Sequence, residues 1–262
     1  MIERATDNDK KDILHELSKE IHKNVYLYID IYKYGVNCDF LKVWVQRKHN
    51  DLNLIAMKYY DSFQLYATDD IVDFSNVAEL ILLYKPSMIS GHIDLIKSIY
   101  PLLNNQYAAT YGYVLMHRNF SKESTDVIPQ LAKETDMDEI SRLICSDKSI
   151  GQHYQPEELS KQFIERFRNN MGRNFVIRKD NKIIAHYATY AEIPDVAVTG
   201  GLIVLPECRG MGYAKVLMAY LYNILLREGK KVFLFCSNDN LNVHLKFGSE
   251  ICSEYGKLTL IK

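Results

Sequence analysis

A short turn rich in glycine, LPECRGMGYA at 205–214, constrains this chain most, because it joins an aliphatic run to a long amphipathic segment. A strand that turns directly into a helix gathers free backbone N–H groups at the positive end of the helix dipole. Gly210 and Gly212 leave room for a ligand to approach the main chain. The turn therefore predicts an anion site, and a diphosphate is the expected anion. Arg209 either bonds a phosphate or reaches back and braces the turn.

Two glycines in a turn also have other uses. They can serve only to make a tight strand-to-helix connection. A dinucleotide-binding turn needs a third glycine and an acidic residue about 20 positions further on, but Lys215 and the intrahelical Glu228 do not fit. The Gly-Lys-Ser/Thr phosphate loop is also absent. A nucleoside triphosphate is therefore not favoured.

The segments around the turn predict a mixed α/β sheet. Stretches with a period of three to four residues predict helices, and alternating or continuous apolar runs predict strands. In chain order these are a helix after Asp136, a helix at 156–169, a hairpin at 174–178 and 182–191, a strand at 196–205, a helix at 213–227, a strand at 231–236, a helix at 240–246 and a strand at 257–261. The strand at 196–205 is apolar on both faces and is expected to be central.

The glycine turn and the residues before it resemble the signature of a known family. Residues 204–214 are similar to the signature of the GNAT superfamily, the acyl-CoA-dependent N-acetyltransferases, whose acetyl-CoA loop follows [Q/R]-x-x-G-x-[G/A]. Arg209, Gly212 and Ala214 fit this pattern, and Gly210 is a common extra glycine. The resemblance covers about half of the chain, from about Leu131 to Lys262, and implies a GNAT-like acyltransferase fold there.

The resemblance implies acetyl-CoA as co-substrate and no metal. Pantetheine would lie where the strand before the loop splays from the next parallel strand, and main-chain donors would polarise the thioester carbonyl as it becomes an oxyanion. An amine would attack directly, without a covalent enzyme intermediate. The residues that would contact CoA are Leu202, Ile203, Val204, Arg209, Gly210, Met211, Gly212, Tyr213, Ala214, Asn238 and Asn240.

The proton donor and the base follow the family pattern less closely than the acetyl-CoA loop does. Many relatives place a tyrosine in the helix after the fifth strand, as proton donor to the CoA thiolate. Anchored on Lys246 and Gly248, that position holds His244 here. Histidine can protonate a thiolate near neutral pH, or His244 only packs. Asp195, with Glu192 nearby, is the candidate base; the alternatives are a loop carboxylate without a role and proton loss to solvent.

Two tyrosines of the predicted hairpin are candidates for lining the acceptor pocket. Tyr187 and Tyr190 lie in the strand at 182–191, next to the strand that leads into the turn. Aromatic residues in a strand usually serve in packing, and this is the alternative for both.

The first half predicts a second domain. A polar, aperiodic segment leads to Pro129, so we expect domains at 1–125 and 131–262. The first half shows a helix, a three-stranded meander, a strand at 78–84, a helix at 92–103 and a strand at 111–117. This order faintly echoes the second half and suggests a degenerate GNAT-like copy, with an unrelated α+β domain as the alternative. Its nearest loop candidate, 87–92, has one glycine and no arginine.

Composition limits the partners. The chain has 262 residues, 32 basic against 33 acidic, and a net charge of −1, which gives no electrostatic reason to expect nucleic acid or an anionic membrane. A polar N-terminus and the lack of a run of about 18 apolar residues predict a cytoplasmic protein. Five scattered cysteines are interpreted as reduced thiols.

Taken with the resemblance, these features predict an N-acetyltransferase that acetylates a primary amine of a small molecule. A homodimer is one expected form. Two alternatives stay open: a non-catalytic acyl-CoA-binding regulatory module, because the tyrosine is missing and no base is clear, and a protein N-acetyltransferase.

Overall fold

The computed structural model describes residues 2–68, 73–124, 126–147 and 155–261. The chain divides into two compact units that interleave in sequence. The first unit consists of Met1–Leu115, Cys236–Val243 and Ile251–Lys262, and the second of Met116–Phe235 and His244–Glu250. The predicted domain limits, 1–125 and 131–262, stay a prediction. They do not coincide with the two compact units, because the end of the chain groups with the first unit.

Both halves of the chain run through the same order of elements. The first contains β1 (Ile2–Arg4), α1 (Lys10–Lys19), α2 (Ile21–Tyr34), β2 (Leu41–Lys48), β3 (Asp51–Tyr59), β4 (Ser62–Ala67), α3 (Ser75–Tyr84), β5 (Met88–His92), α4 (Ile93–Ile99) and β6 (Tyr107–His117). The second contains β7 (Gln130–Leu131), α5 (Met137–Cys145), α6 (Pro156–Arg168), β8 (Asn174–Lys179), β9 (Lys182–Glu192), β10 (Val196–Val204), α7 (Tyr213–Arg227), β11 (Lys231–Cys236), α8 (Asn238–Lys246) and β12 (Ser249–Leu260). The echo expected between the halves is therefore present at the level of secondary structure.

One prediction for the first half was wrong. The segment 78–84, expected as a strand, is the second part of helix α3. The segment 87–92, which lacks the arginine and second glycine of an anion loop, contains strand β5, in which a Cβ on Gly91 would stand 2.8 Å from the Leu65 carbonyl oxygen of β4. Its glycine allows two strands to approach closely and does not form an anion loop.

The sheet of the first unit has the strand order β1-β2-β3-β4-β5-β12-β6, with β4 and β5 parallel and β12 antiparallel to β5. Helices cover both of its faces. Leu54 and Ala56 of β3 pack in the cluster that contains α3 and α4, whereas Ile55 and Met57 pack in the cluster that contains α1 and α2. The period of two in β3 thus divides the core between two layers.

The sheet of the second unit has the order β11-β10-β9-β8-β7. Strand β10 is parallel to β11 and antiparallel to β9, which confirms its predicted central position. Val176 of β8 packs with α5 and α6, and its neighbour Phe175 contacts Tyr220 of α7, so the helices lie on opposite faces. No helix in the described part of the chain is both long and apolar enough to cross a bilayer.

Candidate functional site

The turn after β10 has the backbone that the sequence predicted. A short 3-10 segment, Pro206–Cys208, follows the strand, and Gly212 is the N-cap of α7. Gly210 and Gly212 have φ of +80° and +85°, a left-handed conformation that costs other residues about 1–2 kcal/mol. A Cβ on either would have no atom of the described protein within 4 Å. The glycines therefore satisfy the backbone handedness and leave open space over the turn.

The N-terminus of α7 carries free N–H groups. The amide of Val216 donates to the Gly212 carbonyl at 3.1 Å, which is the first bond of the helix. The amides of Tyr213, Ala214 and Lys215 precede it, and among the described residues no side chain caps the helix. These donors, together with the helix dipole, suit an anion such as a diphosphate.

Arg209 braces the turn. Its Nε donates to the carbonyl oxygen of Val204 at 3.0 Å, and its Nη2 donates to Asp147 Oδ2 at 2.6 Å. Of the two roles considered for this arginine, the structure shows the reach back to the strand. Because these two bonds tie the turn to the end of β10 and to Asp147, they hold the amides of the turn in place.

The two central strands separate before the turn. Strand β10 pairs with β11 from Val196 to Thr199, and then continues to Val204 without further pairing to it in the described chain. On its other side β10 keeps β9 as a partner up to Val204, and the Leu205 amide donates to the Ile184 carbonyl at 2.8 Å. Successive residues of a strand direct their N–H and C=O groups to opposite sides. Because Leu205 faces β9, the N–H and C=O of Val204 point away from β9.

The separated part of β10 includes a bulge at Gly200–Leu202. Gly200 is opposite Ala188 and Ile203 is opposite His186, so β10 has one more residue than β9 between these pairs. Gly201 has φ of +70°. The predicted splay is present. The bulge was missed, although glycines inside a predicted strand often mark one.

His244 is buried, with 8% of its surface exposed. Its Nδ1 has no hydrogen-bond partner among the described residues, and burial lowers the pKa of the imidazole to about 4. The ring is therefore neutral at pH 7 and holds no excess proton. This pKa is below the ordinary histidine value on which the expected proton donor was based, and the catalytic role of His244 stays a prediction.

The two carboxylates considered as the base, Asp195 and Glu192, lie at the start of β10 and not at its loop end. Asp195 is exposed, and its carbonyl accepts the Lys231 amide at 2.8 Å at the start of the strand. About 16 Å of extended chain separates it from Gly200. Glu192 accepts Arg173 Nη2 at 2.8 Å and Thr189 Oγ1 at 2.9 Å. The strand geometry therefore disfavours Asp195 as a base at the loop end of β10.

Asn238 and Asn240 are exposed at the start of α8, in the stretch that groups with the first unit. Their contact with CoA stays a prediction. Met211 is 61% exposed on the turn, and Leu202, Tyr213 and Ala214 are half-buried. No three His, Cys, Asp or Glu side chains gather as a metal-binding group within the described ranges.

A buried hydroxyl chain stands at the point where the strands separate. Thr199 Oγ1 donates to the Phe233 carbonyl at 3.3 Å, Tyr187 Oη lies 2.7 Å from Thr199 Oγ1, and Tyr222 Oη lies 2.8 Å from Tyr187 Oη. Because a carbonyl only accepts, Tyr187 donates to Thr199 and Tyr222 donates to Tyr187. Tyr187, a candidate for the acceptor pocket, is 1% exposed and belongs to the core.

Comparisons with known proteins agree with this geometry. Residues 137–248 match the family described as Acetyltransferase (GNAT) family. A GNAT-family acetyltransferase from Colwellia psychrerythraea is 12% identical, with all of both chains covered and a TM-score of 0.61. A tandem GNAT protein from the clavulanic acid biosynthesis pathway is 13% identical, with 99% of this chain and 97% of that chain covered and a TM-score of 0.60.

A GCN5-related N-acetyltransferase-like protein from Streptococcus suis is 12% identical, with 98% of this chain and 100% of that chain covered and a TM-score of 0.59. No curated protein matches this chain. The solved structures establish a shared fold over both halves, so the first half also has a GNAT-like fold. The second half of the chain, matched at residues 137–248, belongs to the GNAT acetyltransferase family.

Proposed function

We propose that the second half binds acetyl-CoA and transfers its acetyl group to a primary amine of a small molecule by direct attack. One observation carries this proposal: β10 leaves β11 at Thr199 and runs on through two left-handed glycines into a helix N-terminus that no side chain of the described ranges caps. The gap suits an extended pantetheine arm that bonds to main-chain groups. The amides of Tyr213, Ala214 and Lys215 suit the diphosphate.

The donors to the thioester carbonyl are main-chain N–H groups. Alternation from the Leu205 bond directs the Ile203 amide toward β9 and the Val204 amide toward the open side. Leu202 lies in the bulge, where regular alternation does not set the direction of its amide. We assign the Leu202 amide, in the bulge, to the thioester oxygen. Such a donor lowers the barrier because the negative charge on that oxygen grows in the transition state.

His244 is proposed to act on the leaving thiolate. Its neutral ring can hydrogen-bond the sulfur, and a developing anion raises the pKa of a nearby imidazole. As negative charge appears on the sulfur, the neutral ring passes its N–H proton to the thiolate and regains a proton from water. The amine proton is lost to water, since Asp195 lies at the other end of β10.

The first half is proposed not to bind CoA. Asp73 Oδ1 accepts the Ser75 amide at 2.9 Å, which caps α3 with a carboxylate, and this bond lowers the pKa of Asp73. The sequence from Thr68 to Phe74 has no glycine or arginine and contains Asp69 and Asp70 as well. A negative helix N-terminus repels a diphosphate.

The small-molecule acceptor is supported by the tandem GNAT protein of the clavulanic acid pathway, which shares the fold over nearly the whole chain. We place the protein in the cytoplasm, where its five free cysteines would stay reduced. A second candidate is a regulatory module that binds acyl-CoA without chemistry. The neutral, buried His244 favours it.

One experiment separates these candidates. The full chain is titrated with acetyl-CoA in a calorimeter, and CoA release is then followed by chromatography with small amines, with lysine peptides and without an acceptor. We expect one acetyl-CoA per chain and amine-dependent release with small amines. Release with peptides alone would indicate a protein acetyltransferase, binding without release would indicate the regulatory module, and no binding would refute all three.

A further inference from the structure

The bulge at Gly200–Leu202 is held by two side chains of β9. A Cβ on Gly200 would lie 2.6 Å from Tyr190 Cε2, and a Cβ on Gly201 would lie 2.4 Å from Tyr190 Oη. The tyrosine ring therefore covers both glycines, and a larger residue at either position would require Tyr190 to move. His186, which is fully buried, places Nδ1 2.9 Å from the Gly201 carbonyl oxygen.

The hydrogen on His186 can be assigned. A carbonyl only accepts, so Nδ1 carries the proton that bonds Gly201. Burial lowers the pKa of the ring to about 4, so Nε2 carries no proton at pH 7 and accepts a hydrogen bond. The Asn174 atom placed 2.9 Å from Nε2 is Oδ1. Because an unprotonated Nε2 can only accept, we exchange the nearly isosteric O and N of this amide, so that Nδ2–H donates to Nε2. The Gly201 carbonyl thus selects the tautomer, and the Asn174 amide in this orientation is compatible with it.

The consequence reaches the next amide. In a trans peptide the C=O of one residue and the N–H of the next point in opposite directions. Because His186 holds the Gly201 carbonyl toward itself, the N–H of Leu202 points away from His186. The extra residue of the bulge gives this peptide freedom that a regular ladder would not allow, so its direction depends on the histidine.

We infer that His186 is a positioning residue for acetyl transfer: through the Gly201–Leu202 peptide it orients the amide that polarises the thioester carbonyl. Tyr190 supports it by filling the space into which the bulge could otherwise relax. This inference rests on the proposed function of the second half. His186 acts only through this peptide and contacts neither acetyl-CoA nor the acceptor.

Two matched substitutions test the inference. The amide of His186→Asn stands near the former Nδ1 and can still donate to Gly201. The amide of His186→Gln stands near the former Nε2, so it can bond Asn174 but not Gly201. Both variants are polar and lose one of two hydrogen bonds. The readout is the ¹³C resonance of the thioester carbonyl of [1-¹³C]acetyl-CoA bound to the full chain, with calorimetry for affinity and melting curves for folding.

In the wild type the carbonyl resonance should move downfield on binding, as a hydrogen bond to its oxygen requires. His186→Asn should retain most of this displacement, and His186→Gln should lose most of it, with Kd for CoA within about threefold in both. With an amine that the enzyme accepts, kcat of His186→Gln should fall at least about 10-fold. The decrease should be smaller than the factor of about 10² to 10³ that follows when a donor to the oxyanion is removed outright.

Equal displacement in the two variants would overturn the inference, as would a wild type that binds acetyl-CoA without displacement. A wild type that does not bind acetyl-CoA would instead refute the proposed function. If His186→Gln does not fold, Asn174→Ser gives the converse comparison, because it leaves the Gly201 bond in place. Its displacement should stay close to that of the wild type, and its loss would contradict the inference.

Discussion

Replacing Gly212 by glutamate should abolish tight binding of acetyl-CoA. The new carboxylate would stand at the N-cap of α7, where it accepts the free amides and repels a diphosphate. If a phosphate takes hydrogen bonds from two of those amides at about 1.5 kcal/mol each, their loss amounts to about 3 kcal/mol, or roughly 100-fold in Kd. Charge repulsion adds to this value.

The same helix provides the control. Gly229, just after α7, has φ of +76°, and a Cβ placed on it would, as at Gly212, have no described atom within 4 Å. Gly229→Glu therefore introduces the same side chain with similar backbone strain, about 1–2 kcal/mol, at the opposite end of the helix. It should lower Tm by a few degrees and leave the affinity for CoA unchanged.

Calorimetric titration of both variants with acetyl-CoA, alongside melting curves, makes the comparison. The assignment of the diphosphate site would be refuted if Gly212→Glu bound acetyl-CoA within threefold of the wild type. It would also fail if Gly229→Glu lost affinity to the same extent while still folded.

Three further predictions concern the loop brace, pH and the core. Asp147→Asn removes the charged partner of Arg209, so Kd for CoA should rise about 3- to 10-fold in calorimetry; an unchanged Kd would exclude the brace as a support of the site. Because His186 is held neutral while an unfolded histidine has a pKa near 6.5, stability should be lost as pH falls from 6.5 toward 4, by about 2 kcal/mol at pH 5 for this one group. Urea unfolding of the wild type and His186→Asn at several pH values checks this, and an equally steep pH dependence in the variant would contradict it. Tyr187→Phe removes the middle hydroxyl of the buried chain and should cost about 1–3 kcal/mol in the same assay; a neutral substitution would show that the chain is not stabilising.

The sequence predicted the second half well because local chemistry and tertiary structure agree there. The helix at 213–227 and the strand at 231–236 were placed at their observed bounds, since a glycine turn begins the helix and Gly229 ends it. In α3 the run at 80–84 is continuously apolar and has no period, so a buried strand and a buried helix look alike. The cap that decides between them, Asp73 on Ser75, lies outside that run.

Prediction of the site residues likewise succeeded where the signal is local and failed where it depends on tertiary structure. The anion turn is local and was recognised from Arg209 and its glycines. The hydrogen bond between His186 and Gly201 joins residues on two strands. Gly200-Gly201 indicates a bulge, but the sequence does not show which side chain lies against it. The low pKa of His244 likewise arises from burial by distant segments, which a helix position alone cannot show.

The placement of β12 has a consequence for biosynthesis. This strand lies beside β5, with Gly256 opposite Gly91, although the ribosome makes it after all of 93–248. At about 5–20 residues per second, β5 waits on the order of 10 to 30 s for that neighbour. The first sheet therefore cannot complete its strand pairing until β12 has been synthesised, and β5 lacks its β12 neighbour throughout that interval.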